Sequence, residues 1–262
     1  MSNQPIGIFD SGIGGTSIWK EIHKLLPQEN TIYLADSANA PYGQKSKEKI
    51  IQLCEKNTEF LLDQNCKIIV VACNTATTNG IKHLRNKYPV HFIGIEPAIK
   101  PASLQTKTNT IGILATKGTL SSAFFEKTSS LIDSNINIVE QVGTGLVELI
   151  ENGLINSNEM DIKLNEYLNP MLKENIDCLV LGCTHYPYLI PKIQTFLGDN
   201  IKIIDSGLAV AKQTKRILEI NQLINTETKN PIDNLFLSNK SEQILKLFLQ
   251  EFKNAKIEHH NF

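Results

Sequence analysis

Two stretches of the chain share one pattern that restricts its fold. In residues 67–78 and again in residues 177–188, a short apolar run leads to a small residue, a cysteine, and then polar residues that can cap a helix. The apolar runs predict buried parallel strands, and the polar residues predict helix starts. Cys73 and Cys183 are thus expected at strand-to-helix junctions, where open α/β sheets bind ligands.

Two further segment pairs match in the same order. IGIFDSGIGGTS from residue 6 resembles IGILATKGTLSS from residue 111, and IGIEPAI from residue 93 resembles KIIDSGLAVA from residue 202. The offsets are 105 residues, 110 residues for the cysteines and about 109 residues, which favours two similar halves. Strands and helices alternate throughout, which is typical of mainly parallel sheets flanked by helices.

We therefore predict an α/β protein of two pseudosymmetric domains, with the active site in the cleft between them. The first domain is predicted to comprise residues 1–97 plus 207–262, and the second residues 98–206. Two local expectations accompany this division. Residues 120–131 are predicted to form one helix, and the helix that starts at Ser157 is expected to be kinked or interrupted by Pro170.

Composition argues against several classes of function. The 262 residues carry a net charge of −1 with scattered basic residues, so neither nucleic acid nor a membrane surface is predicted as a partner. No apolar run approaches the roughly 18 residues of a membrane helix, and no signal pattern is visible, which favours a cytoplasmic protein. Five cysteines without paired spacing then favour reduced thiols over disulfides or a zinc finger.

The two matched cysteines have two interpretations. A single cysteine at the end of a buried strand usually serves packing. The matched pair favours chemistry instead, because the free N–H groups of a helix N-terminus stabilise a thiolate. Two thiols on opposite sides of a cleft suit a reaction that removes a proton from one face of a carbon and returns one to the other. The other cysteines, Cys54, Cys66 and Cys178, look structural.

The first glycine-rich turn also has two interpretations. Asp10 and Ser11 either form the turn and cap the following helix, or supply an acid beside Cys73 and a donor to a carboxylate. The GxGG spacing is a weak dinucleotide signal. Residues Pro41, Tyr42 and Gly43 similarly form either a simple turn or a loop whose N–H groups face an anion.

The polar residues after each cysteine can be helix caps or substrate contacts. Asn74 and Thr75 follow Cys73, and Thr184 and His185 follow Cys183. His185 beside a thiol suits proton transfer or thiolate stabilisation. A zinc site at Cys183 and His185 lacks evident further ligands, so no metal is predicted. Thr116 matches the Asp10 region in the second half, and Glu151 is interpreted locally as a solvated residue.

Taken together, these motifs resemble those of the glutamate racemases, within the cofactor-independent aspartate/glutamate racemase superfamily. The resemblance runs through DSGIGG, APYGQKS, ACNTAT, ILATKGT, LGCTHYP and IIDSG, in order along nearly the whole chain. It implies interconversion of L- and D-glutamate without a cofactor, with Cys73 acting on D-glutamate and Cys183 on L-glutamate. It further implies a homodimer that supplies D-glutamate for peptidoglycan.

The same resemblance assigns roles to individual residues. Asp10 would assist Cys73, and His185 and Glu151 would assist Cys183. Substrate contacts are implied at Asp10, Ser11, Pro41, Tyr42, Gly43, Asn74, Thr75, Thr116, Thr184 and His185. Two positions depart from many relatives: Ala115 replaces Gly, and Glu148 replaces Pro. Racemisation of aspartate or another small acid, and a non-catalytic carboxylate-binding module, stay open as alternatives.

Overall fold

The strands of the protein form two separate parallel sheets. The computed structural model describes residues 2–226 and 233–262. Every pairing between neighbouring strands is parallel. The strands are β1 (Ile6–Asp10), β2 (Thr31–Ala35), β3 (Ile68–Val71), β4 (Phe92–Gly94), β5 (Thr110–Ala115), β6 (Asn137–Val142), β7 (Cys178–Gly182), β8 (Lys202–Ile204), β9 (Asn234–Ser238) and β10 (Ala255–His259). The predicted α/β class is confirmed.

The two sheets share the same central strand order. One sheet has the order β10-β9-β2-β1-β3-β4, and the other has the order β6-β5-β7-β8. The run β2-β1-β3-β4 therefore corresponds strand by strand to β6-β5-β7-β8. This correspondence gives the repeated sequence segments equivalent places, with the two cysteine-bearing strands β3 and β7 beside the first strands of their series, β1 and β5.

Helices flank both sheets. They are α1 (Thr16–Leu25), α2 (Lys47–Asp63), α3 (Asn74–Lys87), α4 (Ile99–Ser103), α5 (Lys117–Leu120), α6 (Ala123–Ser129), α7 (Leu146–Glu151), α8 (Asn158–Lys173), α9 (Ile190–Leu197), α10 (Gly207–Ile220) and α11 (Gln243–Phe248). Short 3₁₀ turns cover Ser37–Asn39, Tyr42–Gln44 and Tyr186–Leu189. Side-chain caps start several helices: Ser46 accepts from the Lys49 N–H at 3.2 Å, and Cys73 caps α3 with its own sulfur.

One local expectation was wrong, and a second was wrong in predicting that a helix is interrupted. Residues 120–131 do not form one helix, because the Ser122 hydroxyl accepts the Phe125 N–H at 3.2 Å and starts a new helix, α6, after α5 has ended. Pro170 does not interrupt α8, which continues to Lys173. Pro170 lies in the last turn, where the loss of one N–H donor affects only the end of the helix.

The C-terminal residues extend the first sheet. Strand β9 pairs with β2, and β10 pairs with β9. Helix α10 packs against α1. The division into residues 1–97 plus 207–262 and residues 98–206 stays a prediction. In the described part of the chain, no helix combines the length and the apolar character needed to cross a membrane.

The two halves share apolar packing next to the carboxyl ends of their strands. One buried cluster contains Ile13 and Ala72 from the first series together with Leu114, Leu146 and Leu181 from the second. Burial of apolar surface is favourable by about 25 cal/mol per Å². This shared cluster therefore stabilises the halves in a closed arrangement and positions the polar residues between them.

Candidate active site

The carboxyl ends of the central strands bring the predicted site residues together. Asp10 ends β1, Cys73 follows β3, Thr116 follows β5 and Cys183 follows β7. Nine of the ten predicted contacts line one cavity between the halves, and Val147, which the sequence did not suggest, joins them. The nine are Ser11, Pro41, Tyr42, Gly43, Asn74, Thr75, Thr116, Thr184 and His185, and both cysteines also line the cavity.

The cavity is closed. Its volume is about 10 Å³. A single water molecule needs roughly 10–15 Å³ by the same measure, so an amino acid does not fit unless the residues around the cavity move. Three threonine hydroxyls hold the halves together beside it: Thr75 contacts Thr116 at 2.9 Å and Thr119 at 3.3 Å. Opening the cavity to a ligand must break contacts of this kind.

Cys73 is buried in surroundings that favour the neutral thiol. Burial, and then the negative charge of Asp10, raise the pKa of Cys73 well above its usual value. Two contacts oppose this shift: the Ala76 N–H donates to the sulfur at 3.4 Å, and the Ser11 hydroxyl lies 3.7 Å from it. The opposing contacts are weaker than burial, so Cys73 carries its proton in this closed arrangement.

Cys183 has a cation beside it. Its sulfur lies 3.7 Å from Nδ1 of His185, whose Nε2 lies 2.6 Å from Oε1 of Glu151. Burial disfavours a charged imidazole, but the hydrogen bonds to Cys183 and Glu151 outweigh it and raise the pKa of His185 well above its usual value. The neighbours of the two sulfurs therefore differ, because the Asp10 carboxylate is near Cys73 and a positively charged His185 is next to Cys183.

Glu151 is not a solvated residue, and the local interpretation of it was wrong. Its side chain is 7% exposed. In addition to His185, the carboxylate accepts the Ile13 N–H at 2.7 Å and the Ser37 hydroxyl at 3.1 Å. Both donors lie more than 100 residues away in the sequence, so only the family resemblance had pointed to a role for Glu151.

The glycines of the first turn leave room for this pair of side chains. A Cβ atom on Gly12 would lie 1.9 Å from Oε1 of Glu151, and one on Gly14 would lie 2.3 Å from Nδ1 of His185. Both separations are far below any van der Waals contact. The turn that resembled a weak dinucleotide signal is glycine-rich because the histidine and the glutamate of the other half pack directly on its backbone.

Asp10 lies beneath the cavity and not in its wall. Its carboxylate accepts the Gly12 and Gly15 N–H groups, each at 3.1 Å, and the Thr184 hydroxyl at 3.2 Å. Burial raises the pKa of Asp10, and the positive charge of His185 and the two N–H donors act against this rise. Asp10 thus joins both halves and places a titratable acid near Cys73.

The Tyr42 side chain anchors the loop that carries Pro41 and Gly43. Its hydroxyl donates to Oδ2 of Asp36 at 2.5 Å and accepts from Asn57 at 3.2 Å. Burial, together with the Asp36 charge, raises the pKa of Tyr42 well above its usual value, so the phenol stays neutral. The loop is therefore fixed by its side chain.

Asn74 has the strongest structural sign of a ligand contact. The residue is 2% exposed, and neither its Nδ2 nor its Oδ1 has a hydrogen-bond partner among the described residues. A buried, unpaired amide costs free energy unless something else satisfies it. Asn74 lines the cavity, so a polar ligand there would supply the partners that the protein lacks.

Metal ligands do not cluster in the described residues: no group of three or more His, Cys, Asp or Glu side chains is arranged to hold an ion. All five cysteines are free and buried. Cys54, Cys66 and Cys178 lie in the apolar clusters and do not line the cavity. Burial raises the pKa of Cys66 to about 12, which fits an inert packing thiol.

The sequence of the chain matches a known protein family. Residues 6–214 match the family described as Asp/Glu/Hydantoin racemase. The chain belongs to the Asp/Glu/Hydantoin racemase family. The sequence-based identification of the chain as an amino-acid racemase is thereby confirmed.

Curated relatives in this racemase family carry the name glutamate racemase. The protein of Herpetosiphon aurantiacus is 44% identical over 228 residues, which cover 87% of this chain and 90% of the relative. The protein of Cupriavidus pinatubonensis is 42% identical over 242 residues, which cover 92% of this chain and 89% of the relative. The resemblance noted in the sequence motifs is confirmed along most of the chain.

Solved structures of glutamate racemases have the same fold. The enzyme of Francisella tularensis in complex with D-glutamate has a TM-score of 0.84 at 32% identity, covering 98% of both chains. The enzyme of Escherichia coli in complex with L-glutamate and the activator UDP-MurNAc-ala has a TM-score of 0.86 at 31% identity, again covering 98% of both. The predicted arrangement of two sheets in a racemase fold is confirmed.

Proposed function

We propose that this racemase interconverts L- and D-glutamate by proton transfer between the α-carbon and two cysteines, Cys73 and Cys183. One observation carries the proposal. The two thiols follow equivalent strands of the two series and line the same cavity, one in surroundings that favour the thiol and the other beside an imidazolium. A two-base racemase needs this combination, because one base must be ready to accept a proton while the other is ready to give one.

The proposed reaction balances as two proton transfers. From L-glutamate, the Cys183 thiolate takes the α-proton and becomes a thiol, and electron density accumulates at the α-carbon. The Cys73 thiol then gives its proton to the opposite face of that carbon and becomes a thiolate. From D-glutamate the same steps run in reverse, with Cys73 as base. Each turnover leaves the enzyme ready for the other enantiomer until its protons re-equilibrate.

The supporting side chains have distinct proposed tasks. His185 and Glu151 would hold charge beside Cys183, and Asp10 would do so beneath Cys73. The substrate's polar groups would be bound by residues that line the cavity, above all Asn74, whose amide has no other partner in the described residues. The remaining proposed contacts are Ser11, Pro41, Tyr42, Gly43, Thr75, Thr116, Thr184 and His185.

Glutamate is the proposed substrate because the relatives named above are glutamate racemases and two of their solved structures hold D- or L-glutamate. Aspartate is the principal alternative. Circular dichroism of each enantiomer of both amino acids, incubated with metal-free enzyme, distinguishes them. We expect loss of the glutamate signal from either enantiomer, and faster loss for aspartate would contradict the proposed substrate.

The two-cysteine mechanism is tested by substitution. We expect Cys73→Ala and Cys183→Ala each to abolish racemisation while the folded structure persists, because each variant lacks one base. Cys178→Ala is the matched control, since it also removes a buried thiol, five residues before Cys183, but outside the cavity. Near wild-type turnover in either of the first two variants would refute the mechanism.

Exchange and chelation separate the remaining alternatives. In deuterium oxide, a racemase incorporates deuterium at the α-carbon, whereas a carboxylate-binding module incorporates none. Activity that disappears with a chelator and returns with zinc would overturn the metal-free mechanism.

The cellular role is proposed from the same resemblance. The enzyme would supply D-glutamate for peptidoglycan from the cytoplasm and would act as a homodimer. Rescue of a D-glutamate-requiring bacterium tests the role, and sedimentation of the purified protein tests the dimer. A protein that fails to rescue growth, or that sediments as a monomer, would contradict the corresponding part.

A further inference from the structure

The carboxylate of Glu151 is held by donors from both halves of the protein. Glu151 ends α7, in the same series as its partner His185. Its other two donors, the Ile13 N–H and the Ser37 hydroxyl, belong to the first series, after β1 and β2. The histidine–glutamate pair beside Cys183 is therefore completed by groups from across the cleft.

Ser37 occupies a distinct place among these donors. His185 and Ile13 both contact Oε1 of Glu151, at 2.6 and 2.7 Å, whereas Ser37 contacts Oε2 at 3.1 Å. Two-point attachment fixes the rotation of a carboxylate plane, which attachment at one oxygen does not. Ser37 itself is 5% exposed and begins the 3₁₀ turn Ser37–Asn39, so its hydroxyl has little freedom to leave.

These contacts depend on closure of the two halves. The cavity of about 10 Å³ has no room for an amino acid, so the residues around it must move before a substrate enters. A movement that separates the halves would lengthen the contacts from Ile13 and Ser37 to Glu151, but it would leave the contact of Glu151 with His185 within one half. Closure over the substrate would return both donors to Glu151, and the Glu151–His185 pair would then be complete when Cys183 exchanges its proton.

We propose that Ser37 is a positioning residue for proton transfer at Cys183: its hydroxyl orients the Glu151 carboxylate, which in turn orients His185 against the sulfur. This inference rests on the proposed function, because it concerns the Cys183 half of that reaction. Ser37 does not line the cavity and does not contact the cysteine. Its effect passes through Glu151 and His185 and falls mainly on the proton transfer at Cys183.

We therefore expect the loss of Ser37 to affect the barriers of the two proton transfers unequally. Loss of the Ser37 hydroxyl raises the barrier for transfer to and from Cys183 and leaves the barrier at Cys73 nearly unchanged. The Cys183 step then becomes more rate-limiting. A primary deuterium isotope effect on kcat/KM reports how rate-limiting the cleavage of the α-C–H bond is, and each enantiomer loses its α-hydrogen to a different cysteine.

The test is Ser37→Ala with substrates deuterated at the α-carbon. We expect kcat/KM to fall by about tenfold in both directions, the effect of one hydrogen bond to a charged group. The isotope effect on kcat/KM should rise for L-glutamate and fall towards the equilibrium isotope effect of α-C–H cleavage for D-glutamate. Isotope effects do not depend on the fraction of folded enzyme, so partial misfolding cannot produce this result.

Ser206→Ala is the matched control. Ser206 is also 5% exposed, and its hydroxyl joins the end of the second series to the first by donating to the Glu96 carbonyl at 2.5 Å. We expect its isotope effects to equal those of the wild type.

Unchanged or reversed isotope effects in Ser37→Ala, or the same asymmetry in Ser206→Ala, overturn the positioning role. A wild-type enzyme that does not racemise glutamate refutes the proposed function itself, and the inference fails with it.

Discussion

Replacement of Glu151 by glutamine tests the electrostatic account of the site. The change keeps the size and shape of the side chain and removes its negative charge. In the wild type, the hydrogen bonds to Cys183 and Glu151 raise the pKa of His185 well above its usual value, against the effect of burial. Burial lowers the His185 pKa, and the carboxylate acts against that effect. Without the carboxylate, the His185 pKa therefore falls, and the imidazolium exists over a narrower pH range.

The magnitude follows from the geometry of the pair. The two side chains are 1% and 7% exposed and lie 2.6 Å apart, so solvent screens them little. Two unit charges at 4 Å attract by about 4 kcal/mol in an effective dielectric of about 20, and one pKa unit corresponds to about 1.36 kcal/mol. Loss of the carboxylate therefore removes a large part of what stabilises the imidazolium, and the pKa of His185 falls.

The fall of the His185 pKa in Glu151→Gln fixes the direction in which the pH profile of racemisation moves. A raised histidine pKa keeps the ring charged at low pH and loses the charge as pH rises through the pKa. In Glu151→Gln that loss occurs at lower pH, so the alkaline limb of the kcat/KM profile should move to lower pH. The difference in kcat/KM between Glu151→Gln and the wild type should become smaller as the pH is lowered, because His185 becomes charged in both proteins.

The assay is the pH dependence of glutamate racemisation by circular dichroism. Glu148→Gln is the matched control, because Glu148 lies in the same helix and its carboxylate accepts a hydrogen bond from Gln44 at 2.6 Å. We expect its profile to match the wild type. A deficit in Glu151→Gln that does not vary with pH, or an alkaline limb that moves upwards, would refute the role assigned to the Glu151 charge.

Two further substitutions address packing and stability. Gly14→Ala places a Cβ atom 2.3 Å from Nδ1 of His185, so we expect racemisation to fall by about 100-fold or more, and near wild-type turnover would contradict the close approach. Lys67→Met removes one partner of the buried ion pair with Glu29, at 2.5 Å, and should lower the free energy of unfolding in urea by about 3–5 kcal/mol. Adding Glu29→Gln should recover part of that loss, because no unpaired buried charge is left, and an equal loss in the double variant would contradict this reason.

The sequence alone determined the parts of the protein that depend on local pattern. Apolar runs ended by small residues placed β3 and β7, and the polar residues after each cysteine placed the helix starts. The repeat of these patterns predicted two similar halves with mainly parallel sheets, and the carboxyl ends of parallel strands meet at one edge. The sequence alone thus predicted Cys73 and Cys183 at one cleft.

Only the tertiary structure decided which distant groups meet there. Glu151 looked solvated because its neighbours in sequence say nothing of Ile13, Ser37 or His185, which the fold brings against it. Asp36 gave no sign of its contact with Tyr42 either. The periodicity of apolar residues in a sequence indicates which face of a single helix or strand is buried. Hydrogen bonds across a cleft depend on how two elements from different halves approach each other, and that approach is set by the packing of the whole chain.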